Sequence, residues 1–201
     1  MSLEEYEEEM MDLSKTEIQN KYITATNVAG AAMVKVTEAC KAGAKIVDIC
    51  TLGDKFITDE TAKKAKTFRD KGVAFPTCIS VDNCCGHMSP FSTDTAVLKI
   101  GDMVKIDLGV QVDGYAVLTA KTIIIPDPAK PEEEVKGPKA DVIAAAATAM
   151  NAAMRMIRPG KTVKTNTFIS YIYFSFLISS RPSKSFVYSM VLRHNGDQTF
   201  F

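Results

Sequence analysis

The dipeptide Asp113-Gly114 limits the fold of this chain more than any other feature. Both residues tolerate positive φ, and a two-residue turn of that kind joins antiparallel strands with the correct twist. Before it, Val104, Ile106 and Leu108 alternate with Lys105 and Asp107, the period of a half-buried strand. After it, a second strand is predicted through about Leu118 and a further one from Thr122 to Ile125, ended by Pro126 and Pro128. A two-residue turn also sets register. Leu118 falls opposite Gly109 and Asp107 opposite Ala120, which makes Leu118 and Asp107 diagonal neighbours on one face.

Two helices are predicted ahead of these strands. Ser14-Lys15-Thr16-Glu17 is a capping-box pattern. Behind it Ile18, Tyr22, Ala25, Ala29, Ala32, Val36 and Ala39 form one apolar stripe, which Gly43 breaks. Asp48 is placed to cap a second helix over about 48–69, with Leu52, Phe56 and Ile57 inward. Its outer end carries Lys63, Lys64, Lys66, Arg69 and Lys71, either a solvated helix end suited to the dipole or a patch facing RNA. Val73 to Val81, with Pro76 inside, reads as an edge or irregular strand. Residues 98–102 read as a turn entering the next strand, and Gly137-Pro138 opens a third helix burying Ile143, Ala147, Met150, Met154 and Ile157. Helix, helix, strands, helix is an α+β order.

Composition excludes several functions. Lys plus Arg and Asp plus Glu are both 24, so a globally basic nucleic-acid binder is ruled out, though a local patch is not. Five cysteines at irregular spacing do not read as a disulfide framework and suit a reducing, cytosolic or nuclear setting. Two histidines exclude a site built on several. Residues 1–13 hold six carboxylates and no basic residue, so they read as a solvated acidic tail rather than a signal peptide. Phe168 to Ile178 is eleven residues without a charge. A membrane span needs about twenty, so no membrane contact is expected, and this stretch reads as an aggregation-prone tail or a buried strand.

The chemistry-bearing residues lie between 75 and 122. Asp107 interrupts an apolar strand, so it must be solvated, hydrogen-bonded or metal-bound. His87 follows Cys84-Cys85-Gly86 in a loop, a spacing wrong for a tetrahedral zinc site.

Phe75-Pro76-Thr77-Cys78-Ile79-Ser80-Val81-Asp82-Asn83, then His87-Met88-Ser89-Pro90, then Leu98 through Gly109, resembles the type 2 methionine aminopeptidases. With Gly72–Pro76, Val112–Tyr115 and the segment from Gly137 to Ala146, it resembles more closely their non-peptidase relatives, the proliferation-associated, ErbB-receptor-binding family. The resemblance runs from about residue 14 to 163 and implies the N-terminal half of a pita-bread fold, two pseudo-symmetric α+β halves around a central site. In the peptidases it implies two metals held by two hairpin Asp, one His and two Glu. Asp107 matches the first Asp, Leu118 stands at the second, and His87 matches a substrate-contacting His. The His and Glu of the second half have no counterpart, and His194 sits in no matching context.

The organisation expected is therefore an acidic tail over 1–13, a truncated aminopeptidase-like domain over 14–167 and an unrelated apolar tail over 168–201. A truncated gene product or translated intron would account for the last. The function expected is a non-catalytic pseudo-peptidase with no catalytic residue, metal or cofactor. His87, Asp107 and Leu118 would line a vestigial pocket. The resemblance implies growth regulation, ribosome biogenesis and translation, through protein partners and RNA or the ribosome, in cytoplasm, nucleus and nucleolus. Self-association through an uncovered sheet face is a further expectation. The alternatives are a metal-dependent methionine aminopeptidase, for which Asp107 and His87 speak, and a non-functional fragment.

Overall fold

A computed structural model describes residues 13–131 and 133–156. The acidic tail except for Leu13, Ile157 and the apolar stretch over 168–201 lie outside the described residues. Three antiparallel strands, β1 (Lys71–Val81), β2 (Met103–Val112) and β3 (Tyr115–Ile124), form a sheet in the order β1-β2-β3. Helices α1 (Thr16–Ala39) and α2 (Ile46–Lys64) pack on it, α1 against β2 and β3, α2 against β1 and α1. A third helix, α3 (Pro138–Met156), follows the sheet.

The core lies between the helices and one sheet face. Val104, Ile106, Leu108, Val110 and Val112 of β2 are fully buried there, against Ala25, Val28, Ala29, Ala32 and Val36 of α1 and Ile57 of α2. Small residues on α1 let the helix come close to the strands. The predicted stripe holds, with Tyr22 and Ala39 half-buried and Val28 and Met33 added. Lys15, not Ser14, stands at the N-cap.

Asp113 and Gly114 take φ of 51° and 83°, both positive, and the register is the one the turn demands. The Asp113 carboxylate accepts from Asp70 N–H at 2.9 Å and lies 3.4 Å from Lys21 Nζ, which ties the turn to α1 and to the start of β1. Tyr22 packs edge-on against Tyr115, with ring centroids 5.4 Å apart. β1 loses regular register between Val73 and Cys78, around Pro76, as expected of an edge strand that lacks one N–H.

Three features differ from expectation. The second helix starts at Ile46 and ends at Lys64, so Asp48 is in its first turn and not at its cap, and Lys66 and Arg69 lie beyond it. Backbone bonds from Gly43 and Ile46 to Leu98 and Ala96 place the helix start early. The two strands predicted after the turn are one, because the ladder with β2 runs from Tyr115 to Ile124 without a break. Helix α3 opens at Pro138 as predicted but buries Ala145, Ala146 and Ala149, whereas Ile143, Ala147 and Met150 are half-buried and Met154 is exposed. Lys139 sets its rotation. Its ammonium donates to Asp82 Oδ1 at 2.9 Å and Gly101 O at 2.6 Å, and Ala146 lies about two turns along on the same side.

Two predictions follow from these contacts. A Cβ on Gly53 of α2 would lie 2.5 Å from Thr77 Oγ1, a buried hydroxyl without a partner among the described residues. Gly53→Ala should cost about 1–3 kcal/mol in urea unfolding, and Thr77→Ala in the same chain should return most of it, a coupling visible in a double-mutant cycle. Asp113 is held below the usual carboxylate range, first by the backbone donor from Asp70 and then by Lys21. A depressed carboxylate stabilises above its unfolded pKa and loses that effect as pH falls through its folded value. Asp113→Asn should cost about 1 kcal/mol at pH 7, and its difference from the parent should vanish in acid melts.

Candidate functional site

The sheet face turned away from α1 and α2 carries Asp107 and Gly109 of β2, Phe75 and Cys78 of β1 and Leu118 of β3. Asp107 is opposite Cys78 on one side and Ala120 on the other, and Leu118 is opposite Gly109, as predicted. Gly109 has a packing reason. A Cβ there would meet the Phe75 ring at 2.7 Å and Leu118 Cδ2 at 3.0 Å. Phe75 and Leu118 thus close over the glycine, and Leu118 remains 60% exposed.

His87 has φ of 59°, in the left-handed region. That conformation brings its Nδ1 to 3.4 Å from Asp107 Oδ2, although its own side chain is 86% exposed. Met88 O accepts from Ile79 N–H at 2.8 Å, which fixes this loop along β1. Burial raises the Asp107 carboxyl above its usual range, and His87 pulls the other way. The structure therefore brings His87, Asp107 and Leu118 to one place. Cys78 is buried beside Asp107; burial first, then the Asp107 charge, pushes its thiol up to about 11. Burial likewise raises Cys40 and Cys50 to about 12. Such thiols stay protonated at neutral pH and are poor nucleophiles.

Lys105 reads in sequence as an outward member of the strand alternation, yet it is 5% exposed. Its ammonium donates to Asp82 O at 2.7 Å, in the turn after β1. Burial is the main reason its pKa is lowered. Asp82 has φ of 45°, receives Met103 N–H on its carboxylate at 3.0 Å and accepts Lys139 there too. No local pattern marks Asp82 as this junction, because its partners come from two distant segments, β2 and α3.

The basic candidates divide. Lys63 and Lys64 both pair with Glu60, at 3.0 and 3.1 Å, and Lys71 donates to Phe68 O at 2.7 Å. Lys66 and Arg69 are exposed in the turn between α2 and β1, with no ion pair among the described residues.

The M24 metallopeptidase pattern matches residues 20–168, most of the chain. The chain belongs to metallopeptidase family M24. It is 49% identical over 154 residues to proliferation-associated protein A of Dictyostelium discoideum, covering 75% of this chain and 39% of that protein. It is 46% identical over 161 residues to ERBB-3 binding protein 1 of Arabidopsis thaliana, covering 79% of this chain and 40% of that protein. The solved structure of a thermophilic Arx1 superposes with a TM-score of 0.64 at 28% identity, over 78% of this chain and 44% of that one. The resemblance to the proliferation-associated, ErbB-receptor-binding proteins and the pita-bread expectation both hold. The chain spans about 40% of the length of these curated relatives.

Family M24 implies metal. Asp107 and His87 offer two donors, and among the described residues no three His, Cys, Asp or Glu side chains converge on a metal position. Leu118 supplies only carbon, and a hard cation needs oxygen. The described residues do not fit a dinuclear centre. Among them, no helix is long and apolar enough to cross a membrane.

Asp107 titrates opposite to Asp113. A carboxyl whose folded pKa is raised favours folding in its protonated form, so stability falls as pH rises through that value. Asp107→Asn should therefore be more stable than the parent at pH 7, with the gap closing below the ordinary carboxylate pKa in urea titrations across pH.

Proposed function

We propose that this chain is a non-catalytic binding module of the M24 fold. It acts in growth regulation, ribosome biogenesis and translation through protein, ribosome and RNA contacts, in cytoplasm and nucleus, the nucleolus included. One observation carries the non-catalytic part: the hairpin register sets Leu118 diagonally beside Asp107, where a second carboxylate would be needed. Two adjacent divalent ions require several anionic ligands. The binding part is supported by relatives named for proliferation and for ErbB-3 binding, and the ribosome and RNA parts by the resemblance in the motifs from Phe75 to Gly109.

The aminopeptidase alternative makes an opposite forecast. Titrated with cobalt or manganese, the chain should bind no pair of tight metals and release no Met from a short peptide. Two tight metals with turnover would overturn the proposal.

The RNA surface we assign is the exposed turn at Lys66 and Arg69. Lys66→Ala with Arg69→Ala should weaken RNA binding and flatten its salt dependence, because each released counterion adds to the slope. Lys63→Ala with Lys64→Ala should do less, since Glu60 already neutralises part of that charge. Filter binding across a salt series separates the two pairs.

A further inference from the structure

The segment that follows β1 holds two adjacent thiols, Cys84 and Cys85. Burial divides the five free cysteines of the chain: Cys40, Cys50 and Cys78 are buried, Cys84 is half-buried and Cys85 is exposed. Neighbours in sequence, Cys84 and Cys85 can meet without help from any other segment. Their sulfurs point apart. Cys84 Sγ lies 4.0 Å from Gly86 O, ahead of it, and Cys85 Sγ lies 4.0 Å from Asn83 O, behind it. A thiol is a weak donor, and at this distance little is lost when the two sulfurs turn towards each other.

The same turn is the junction at the end of the sheet. Cys84 N–H donates to Val81 O at 3.0 Å and closes the turn around Asp82. Asp82 O accepts from Lys105 at 2.7 Å. The Asp82 carboxylate accepts from Met103 N–H at 3.0 Å and from Lys139 at 2.9 Å. The backbone at Cys84 therefore cannot rearrange without disturbing the residue that joins β2 to α3. All the residues involved lie between Val81 and Lys139, within the described part of the chain.

We infer that Cys84 and Cys85 form a redox modification site: a hydroperoxide closes them into a vicinal disulfide, and closure loosens the Asp82 junction. The electrons balance in two steps. The exposed Cys85 sulfur attacks one peroxide oxygen, the O–O bond breaks, and the hydroxide released takes the Cys85 thiol proton and leaves as water. Cys85 then carries a sulfenic acid. The Cys84 sulfur attacks the Cys85 sulfur, the S–O bond breaks, and a second water leaves with the Cys84 proton. Two thiols have given two electrons and two protons to the peroxide. Cys40, Cys50 and Cys78 stay out of the reaction because they are buried.

The ring so formed is strained. Adjacent Cα atoms stand about 3.8 Å apart across a trans peptide, short of the roughly 4.4 Å at which ordinary disulfides begin. The peptide between the two cysteines must twist to close it, and that twist pulls on the Cys84 N–H that holds the turn. Strain also makes the bond easy to reduce, so the site works as a reversible switch.

The test is titration of the full chain with hydrogen peroxide, read by thiol titre and peptide mass mapping. The parent should lose two of its five thiols. It should lose two hydrogens and gain no oxygen, with the bond mapped to the peptide holding residues 84 and 85. Brief dithiothreitol should restore the thiols. Cys84→Ser should instead keep an oxygen on Cys85, which dimedone traps. Amide exchange by NMR reads the junction through Met103 N–H, which the Asp82 carboxylate accepts. That amide should exchange at least about tenfold faster in the oxidised parent, as expected of local opening, and no faster in Cys84→Ser after peroxide than before. Retention of every thiol, a bond to Cys78 or between chains, resistance to dithiothreitol, or an unchanged Met103 rate in the disulfide form would each overturn the inference.

Discussion

The turn at Asp113-Gly114 governs everything else of consequence in the structure. Its positive φ angles allow only a two-residue connection of one hand, and that connection admits one register. Register decides faces, since a slip of one residue would move Val104, Ile106 and Leu108 from the core to the open side. It also puts Leu118 over Gly109 beside Asp107. The side-chain network reinforces the turn instead of leaving it to backbone preference alone. Asp113 binds both Asp70 N–H and Lys21, and Lys21 lies over the Tyr115 and Phe68 rings at 5.2 and 5.9 Å.

A second constraint acts at the opposite end of the sheet. Asp82 gathers Lys105 from β2, Lys139 from α3 and the backbone of Met103. Lys105 is a buried cation that donates to a carbonyl, so the turn that supplies this carbonyl must stay in place. Charge-assisted bonds at its first turn thus tie α3, a helix that buries mainly alanines, to this end of the sheet.

The strand alternation, the α1 stripe, the edge character of β1 and the cross-strand neighbours of Asp107 were legible in the sequence, because each depends on spacing within a short window. What was not legible depends on distant partners. The early start of α2 comes from bonds to Ala96 and Leu98, and the rotation of α3 from Asp82 and Gly101. Thr119 to Lys121 looked like a gap between strands, because two polar residues interrupt the apolar run. The β2 backbone pairs them all the same, since a ladder already in register costs little to extend. Lys105 looked solvent-facing for the same kind of reason, as nothing local announces the turn that covers it. At the site, the meeting of His87 with Asp107 rests on a left-handed residue in a loop, which composition does not disclose.

The face around Asp107 has its own logic. Leucine at 118 brings no charge to this face and asks for no counter-charge beside it. Phe75 and Leu118 can then close over Gly109, and Asp107 is left in surroundings that raise its pKa. Burial disfavours the ionised carboxylate, while His87 beside it favours that form. The two effects oppose each other at a single side chain. Leu118 also keeps the even-numbered residues of β3, from Ala116 to Ile124, free of charge on the face they share with Asp107.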